Sequence, residues 1–517
     1  MNLLMRKSLI LLLSIFFLYG CAVNPVTGKN ELAFVSESQE INIGKENYVP
    51  SQQMQGGDYN IDPELSVYVN EVGQKLAKVS DRQLPYEFVV LNNSTPNAWA
   101  LPGGKIAVNR GLLIELNNEA ELAAVLAHEI VHAAARHGAQ SMERGMLLQG
   151  ALMTTGIAMQ GSDYSNLVVG GAQIGAGLIH TKYGRDDELE ADYYGMIYMS
   201  RAGYDPMAAV ELQETFVRLS KKRDQNWLEG LFASHPPSAE RVATNRETAR
   251  QLDTGGDLGT RRFNDRTASL RANKKAYDEY AKGQEALQKG AYKEAMQFAD
   301  NARRIEPREG HFYALQGDVH YKLQNYYGAM SSFNSAIKRN DNYFYYYLAR
   351  GMTKRKLGKK RESYTDLQTS TNLLPTAIAY NALGELELSD GNKARASEYF
   401  NAAAASDTPA GREARQSLFE LDFPQNPGKY IGVDYGLDRA GYLIARVTNN
   451  APVAIRNIRL AVEYPDINGR IRYTSHLVPG TIQANQNYTI GLNLGPYNST
   501  KVLQSIQIGI ESANVAE

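Results

Sequence analysis

Apolar residues at Leu65, Val69, Val72, Leu76 and Val79 recur at steps of three and four, so residues 62–80 predict an amphipathic helix. Tyr86 to Leu91 predicts a strand, and residues 97–108 predict two short extended pieces about the turn at Gly103-Gly104. Residues 118–137, rich in alanine and leucine, predict a helix. Residues 187–202 predict another, ended by Gly203, and residues 207–220 one more. Residues 147–180 are rich in Gly, Ala, Met and Leu and broken by Gly161-Ser162-Asp163. They predict two helices or a helix and a loop, either packed in the interior or laid as a lid over a cleft. Residues 21–57 are polar and predict loop, and the glycines of residues 253–259 mark a domain boundary.

Beyond that boundary the chain repeats. Gly283, Gly317, Gly351 and Gly384 recur at intervals of 34, 34 and 33. Ala295, Ala329 and Ala396 follow their glycines by twelve residues, and Ala302, Ala336 and Ala403 by nineteen. Phe333 and Phe400 follow theirs by sixteen, and Pro307 and Pro375 close the first and third units. This pattern resembles the tetratricopeptide repeat, a pair of helices whose small residues let them approach closely. The third unit departs, with Ser363 at the alanine position. Four units suffice for a continuous core with a concave face. The basic run Lys354 to Arg361 reads as a solvated face, and the aromatic run Tyr343 to Tyr347 as repeat packing.

From about residue 420 the period falls to two. Tyr442 to Val447, Ile458 to Tyr464, Ile471 to Val478, Tyr488 to Leu494 and Ile506 to Glu511 predict strands, with turns at Asn449-Asn450 and Asn468-Gly469. The expected architecture has several parts: a mostly α-helical zincin-like domain with a small sheet over residues 21–260, an α-solenoid over 270–410, and a β-sandwich over 420–517.

Residues 1–20 predict a signal peptide, with Arg6 and Lys7 before an apolar run from Ser8 to Tyr19 that is too short to span a bilayer. The chain's single cysteine, Cys21, follows at once, and Leu18-Tyr19-Gly20-Cys21 resembles the lipobox of bacterial lipoproteins. That resemblance implies cleavage before Cys21 and acylation of it. Ala22 after the cysteine implies the outer membrane, so the expected place is the periplasm, on the inner leaflet. No disulfide can form within a chain with one cysteine. The 517 residues carry 55 basic and 56 acidic side chains, a net charge of −1. A neutral chain has no long-range field to gather nucleic acid, and no nucleic-acid partner is expected.

The candidate chemistry lies in the helix of residues 118–137. His128 and His132 are four apart, so both imidazoles leave one face and can reach one metal ion. Glu129 is turned about 100° from His128 and can face the attacking water as its general base. Such a pattern arises by chance in about one chain of this length in a hundred, so its surroundings must decide. Glu188 and Asp192, again four apart, lie on a second predicted helix. A catalytic zinc takes three protein ligands, and Glu188 would be the third beside His128 and His132. Asp192 would hold a ligand histidine by a hydrogen bond. One Zn2+ per chain is expected.

The chain resembles the HtpX and CAAX-prenyl-protease family of gluzincin metallopeptidases. The resemblance rests on Asn97-Ala98-Trp99-Ala100-Leu101-Pro102-Gly103-Gly104, on His128 to His132 with Arg136-His137, on Glu188 to Asp192, and on Ser234-His235-Pro236 with Arg241. Asn24-Pro25-Val26-Thr27-Gly28 matches the family's periplasmic lipoprotein members, and Val131 departs from the glycine usual there. The resemblance implies that His235 approaches the metal, either filling the open position to hold the enzyme off or stabilising the oxyanion. It implies that Asn97, Ala98, Trp99 and Ala100 form an edge strand that pairs with substrate backbone. His137 and Arg241 read as supporting residues. The implied activity is an endopeptidase that hydrolyses misfolded or unassembled envelope proteins, in the manner of proteases that clear stalled outer-membrane β-barrels. The repeats would bind substrate or the outer-membrane assembly machinery. The competing reading is a chaperone or scaffold lipoprotein whose peptidase site is silent.

Overall fold

The computed structural model describes residues 21–153, 182–221, 230–252, 255–466 and 468–516. The expected signal peptide, His180 and most of the Gly/Ala-rich stretch after residue 153 lie outside the described residues. The chain forms two compact units that divide between Ala379 and Tyr380.

The first unit opens with a two-stranded pair, β1 (Cys21–Val23) and β2 (Asn30–Leu32), and a helix α1 (Glu37–Met54). The sequence reading of residues 21–57 as loop is overturned here. Polar residues carry this helix. Ser36 and Gln39 close a capping box at its start. Glu40, fully buried, is bound by the guanidinium groups of Arg82 and Arg136. An apolar-periodicity argument misses a helix whose buried face is Glu40, Asn47, Ser51, Gln52 and Gln53.

Helix α2 (Pro63–Ala77) follows, then a three-stranded sheet of β3 (Glu87–Leu91), β4 (Ala98–Leu101) and β5 (Lys105–Asn109). The order is β3-β5-β4, with β3 parallel and β4 antiparallel to the central β5. Trp99 and Leu101 face Tyr48 of α1, whereas Ala98, Ala100, Ile106 and Val108 join the main core with α2 and the next long helix. The β4–β5 turn needs glycine. Gly103 has φ +77°, and a Cβ there would lie 2.6 Å from the Ile41 backbone of α1.

Next come α3 (Arg110–Glu115), α4 (Glu119–Ala134) and α5 (His137–Met153). Asn118 caps α4 by accepting from the Glu121 amide, and Arg136, at φ +66°, ends it in the left-handed region. After these come α6 (Arg185–Arg201), α7 (Met207–Lys221), the single turn α8 (Leu231–Ser234) and α9 (Ala239–Gln251). Helix α10 (Thr260–Ala272) was not read from sequence, because its mean hydropathy is polar and only Phe263, Thr267 and Leu270 are buried. Glu119 fastens three elements at once, accepting from Tyr68 and Tyr204 at 2.7 Å each and pairing with Arg262.

The repeats are helical hairpins. Three pairs lie in the first unit: α11 (Lys274–Gln288) with α12 (Tyr292–Ile305), α13 (Gly310–Lys322) with α14 (Tyr326–Arg339), and α15 (Phe344–Lys356) with α16 (Lys360–Leu373). The repeat positions carry the packing. A Cβ on Gly317 would stand 2.6 Å from the Phe333 ring, sixteen residues on, and Ala295, Ala302, Ala329 and Ala336 have no exposed surface. Ser363 explains its own departure from alanine: buried, it donates to the Gly351 carbonyl of the partner helix at 2.8 Å. Of the basic run, Lys354 pairs with Asp366 and Lys359 with Glu362. The hairpins are tied to the sheet region by polar contacts. Asn92 donates to Glu309 at 2.9 Å, and Gln53 donates to the Asn342 carbonyl at 2.8 Å.

The second unit holds α17 (Ala377–Ser389, divided from the first unit after Ala379), α18 (Lys393–Ala404) and α19 (Pro409–Asp422). The hairpin signature repeats there, with Gly384 against the Phe400 ring. Two antiparallel sheets follow. One runs β11 (Asn487–Gly491), β7 (Leu443–Asn449), β6 (Ile431–Leu437). The other runs β10 (Thr481–Ile482), β8 (Ile455–Pro465), β12 (Gln507–Val515), with β9 (Ile471–Leu477) also on β8. Leu443, Ala445 and Val447 of one sheet share a core with Ile458, Leu460 and Val462 of the other, with Phe419 of α19 and with Phe423 just after it. The predicted strands fall within a few residues of β7, β8, β9, β11 and β12. Strand β6, buried at Ile431 and partly covered elsewhere, was missed because its glycines hide the alternation.

Candidate metal centre

Two helices build the site. On α4, His128 and His132 project from one face, and their Nε2 atoms are 3.0 Å apart. On α6, Glu188 brings Oε2 to 3.6 Å from His128 Nε2 and Oε1 to 3.4 Å from His132 Nε2. The helices can meet this closely because α6 presents Gly195, whose missing Cβ would sit 3.3 Å from the His128 backbone nitrogen. After α8, His235 places Nδ1 3.3 Å from His128 Nε2 and 2.9 Å from Glu188 Oε1. One donor atom from each of these four residues lies within 4.8 Å of the others.

The donor set fits a zinc ion. Ligands about 2.0–2.1 Å from a tetrahedral centre stand about 3.3 Å from one another, which is the spacing found here. Proton placement points the same way. Asp192 Oδ1 lies 3.0 Å from His128 Nδ1 and is anionic, so that nitrogen carries the proton and Nε2 turns a bare lone pair toward the other donors. Lone pairs facing one another at this distance are unfavourable unless a cation lies between them.

The supporting groups are as ordered as the donors. Burial raises the Asp192 carboxyl, but the Arg241 guanidinium outweighs it and holds the group at about 2. Arg241 grips Asp192 through Nε and Nη2 at 2.7 Å each, and reaches Glu188 Oε2 at 2.7 Å through Nη1. Burial likewise opposes the charge on Glu188, yet His235 and Arg241 keep it well below the usual carboxylate range. Burial holds His132 well below the usual histidine range, in the neutral form a metal ligand needs. Glu129, buried beside the four donors without being one of them, is pushed up by burial, and its Oε1 lies 3.5 Å from His235 Nε2.

Other expected residues are placed as follows. Asn97 directly precedes β4 and Ala98, Trp99 and Ala100 begin it, a strand that among the described residues pairs only with β5, and Ala98, Trp99, Ala100 and Leu101 are 0–5% exposed. Asn97 and Trp99 are not among the grouped donors. Cys21 begins β1. Val131 is fully buried in the main core beneath the site.

Two neighbours were not weighed as site residues in the sequence. Tyr183 lies flat on His132, ring centroids 3.9 Å apart, and no spacing rule flags it. Glu190 receives His137 Nε2 at 3.2 Å, while His137 Nδ1 meets His132 Nδ1 at 2.8 Å, so a carboxylate and a second imidazole support His132. The signal for Glu190 was its place two residues from Glu188, on the helix already singled out.

Residues 63–249 match Peptidase family M48. Metalloprotease YcaL of Escherichia coli is 32% identical over 183 residues, which cover 34% of this chain and 68% of that protein. The chain belongs to peptidase family M48. The Beta-barrel assembly-enhancing protease of Escherichia coli is 30% identical over 218 residues, 39% of this chain and 44% of that protein. The Mitochondrial metalloendopeptidase OMA1 of Schizosaccharomyces pombe is 35% identical over 179 residues, 34% of this chain and 51% of that protein. The chain thus spans less than half the length of the β-barrel assembly-enhancing relative. The M48 match covers all four donor residues together with Glu129, Asp192 and Arg241. Among the described residues, no helix is long and apolar enough to cross a membrane.

Proposed function

We propose that this M48 peptidase is a zinc-dependent endopeptidase that cleaves misfolded or unassembled envelope proteins. The observation that carries the reading is the convergence of His128, His132 and Glu188 on one point, with the Glu129 carboxyl beside it and Asp192 behind. A zinc ion held by His128, His132 and Glu188 supplies Lewis acidity toward the scissile carbonyl and the attacking water. Glu129 takes the water's proton and returns it to the leaving amine. Its carboxyl lies beside the donor group without belonging to it, the place such a proton carrier must hold. Asp192 fixes the His128 ring, and Arg241 fixes Asp192. His235 occupies the fourth donor place in this arrangement, a resting state in which it restrains the site.

Substrate backbone pairs with β4 through residues 97–100, a mode that tolerates many sequences and suits unfolded clients. The helical hairpins recruit those clients or an outer-membrane assembly partner, in keeping with the name of the β-barrel assembly-enhancing relative. Cys21 carries a lipid anchor that holds the chain at the periplasmic face of the outer membrane. A silent scaffold would have no need of an intact Glu129 and a complete donor set. The test is proteolysis of an unfolded outer-membrane protein by the purified chain and its Glu129→Gln variant, with metal content measured for the wild type and His128→Ala. Retained cleavage by Glu129→Gln, or equal metal in His128→Ala, defeats the reading.

A further inference from the structure

The segment that carries His235 is tied by its backbone to the entrance of β4. The Asn109 amide at the end of β5 donates to the Asn97 carbonyl at 2.8 Å. Backbone groups alternate in an antiparallel pair, so residues 97, 99 and 101 turn theirs to β5 and residues 96, 98 and 100 turn theirs the other way. Among the described residues β4 pairs only with β5, so that second side is the one a client strand would join. Its first acceptor is already engaged. The Leu231 amide, at the start of α8, donates to the Pro96 carbonyl at 2.9 Å.

Leu231 also seats His235. The His235 amide closes α8 by donating to the Leu231 carbonyl at 2.8 Å. One residue thus bonds the entrance of β4 through its N–H and holds the backbone of the fourth donor through its C=O. Pro236-Pro237 follow directly and stiffen the exit, so a shift of α8 is passed to the His235 ring and not absorbed beside it. That ring stands 2.9 Å from Glu188 Oε1 and 3.3 Å from His128 Nε2. A displacement of about 1 Å is enough to break contacts of this length.

We propose that a client strand laid along β4 competes with Leu231 for the Pro96 carbonyl and so withdraws His235 from the metal centre. This rests on the endopeptidase reading and on the pairing at residues 97–100. It adds the class of client that switches the site on: an extended segment long enough to run past Ala98 to Pro96. A shorter one pairs at Ala98 and Ala100 alone and leaves Leu231 in place. A ligand shifts a conformational balance only by what it gains in one state over the other, and the bond to Pro96 is open to a client only once α8 has moved. Leu231 and Phe232 are buried and hold α8 in place against any client that falls short of Pro96.

The test is cleavage of unfolded peptides that share one cut site and grow one residue at a time on either side of it. The enzymes are the wild type, His235→Ala and Leu231→Pro. Proline lacks the N–H and suits the first position of a helix, so Leu231→Pro removes the bond to Pro96 and keeps the turn. Rates are taken at saturating peptide, because longer chains that merely bind better lower KM and leave kcat alone. Wild-type kcat is expected to rise about tenfold over one or two added residues on one side. In both variants the step is expected to shrink to within about twofold, the shortest peptide gaining most. N-methylation of the one peptide amide that meets Pro96 is expected to return the longest peptide to the short-peptide rate in the wild type only. A wild-type kcat that does not change with length overturns the coupling. So does a full step kept by either folded variant, or a His235→Ala enzyme slower than the wild type on every length. Should circular dichroism show Leu231→Pro unfolded, His235→Ala and the N-methyl scan decide. All of these leave the endopeptidase reading standing, whereas no cleavage of any peptide by the wild type sinks that reading and the coupling with it.

Discussion

His235 holds its Nδ1 atom 2.9 Å from Oε1 of Glu188, inside the donor group rather than beside it. Its ring comes from the segment between α8 and α9, and the same ring reaches Glu129 through Nε2 at 3.5 Å. If Glu129 is the general base of the proposed reaction, a side chain so placed would block both the water and the carbonyl. His235→Ala is expected to raise cleavage of an unfolded substrate several-fold with metal content unchanged. A loss of rate at full metal occupancy would instead make His235 a stabiliser of the oxyanion.

Glu129→Gln keeps the shape of the side chain and removes its basicity. Proteolysis is expected to fall by about 10²–10⁴-fold, the usual worth of a positioned general base. Elemental analysis is expected to find the same metal as in the wild type, because Glu129 is outside the donor group.

Asp192→Asn keeps an acceptor near His128 Nδ1 but withdraws the charge that Arg241 grips. Metal affinity is expected to weaken by about 10–100-fold, measured by competition with a chromophoric chelator. Unchanged affinity would show that the His128 ring is oriented without Asp192.

Asp318 of α13 gives a pH signature away from the metal. Burial raises its carboxyl to about 7, against the opposing effects of a hydrogen bond from Tyr345 and the nearby Lys322 charge. The folded chain therefore holds a proton that the unfolded chain releases near its ordinary value of 3.8. Stability from this group is full below about pH 4 and falls as pH rises through 7. Asp318→Asn removes the titration and keeps the acceptor for Tyr345. The variant is expected to match the wild type at pH 4 and exceed it at pH 8 by about 1–2 kcal/mol, a value reduced for the side chain's partial exposure. Urea midpoints at the two pH values check this, and a gap that does not widen with pH refutes it.

The donor set was legible because helical spacing alone puts His128 with His132 and Glu188 with Asp192 on common faces. The hairpin repeats were legible because Gly317 and Phe333 recur as Gly384 and Phe400, a tight contact that each unit must rebuild. Helix α1 was not, since its burial runs through Glu40 and Gln52 rather than through apolar residues. Tyr183 was hidden for a different reason. Its stacking on His132 is set by the path of the chain into α6, and nothing local in the sequence encodes that path.

Among the described residues strand β4 has one hydrogen-bonded neighbour, yet its four residues leave at most a twentieth of their surface to solvent. On the proposed pairing, a client chain laid along it would first have to make room, so capture would begin with an uncovering and not with an encounter. The frequency of that uncovering would then cap turnover, however good the chemistry beneath. A compact protein that offers no loose end to exploit the brief opening would pass by uncut.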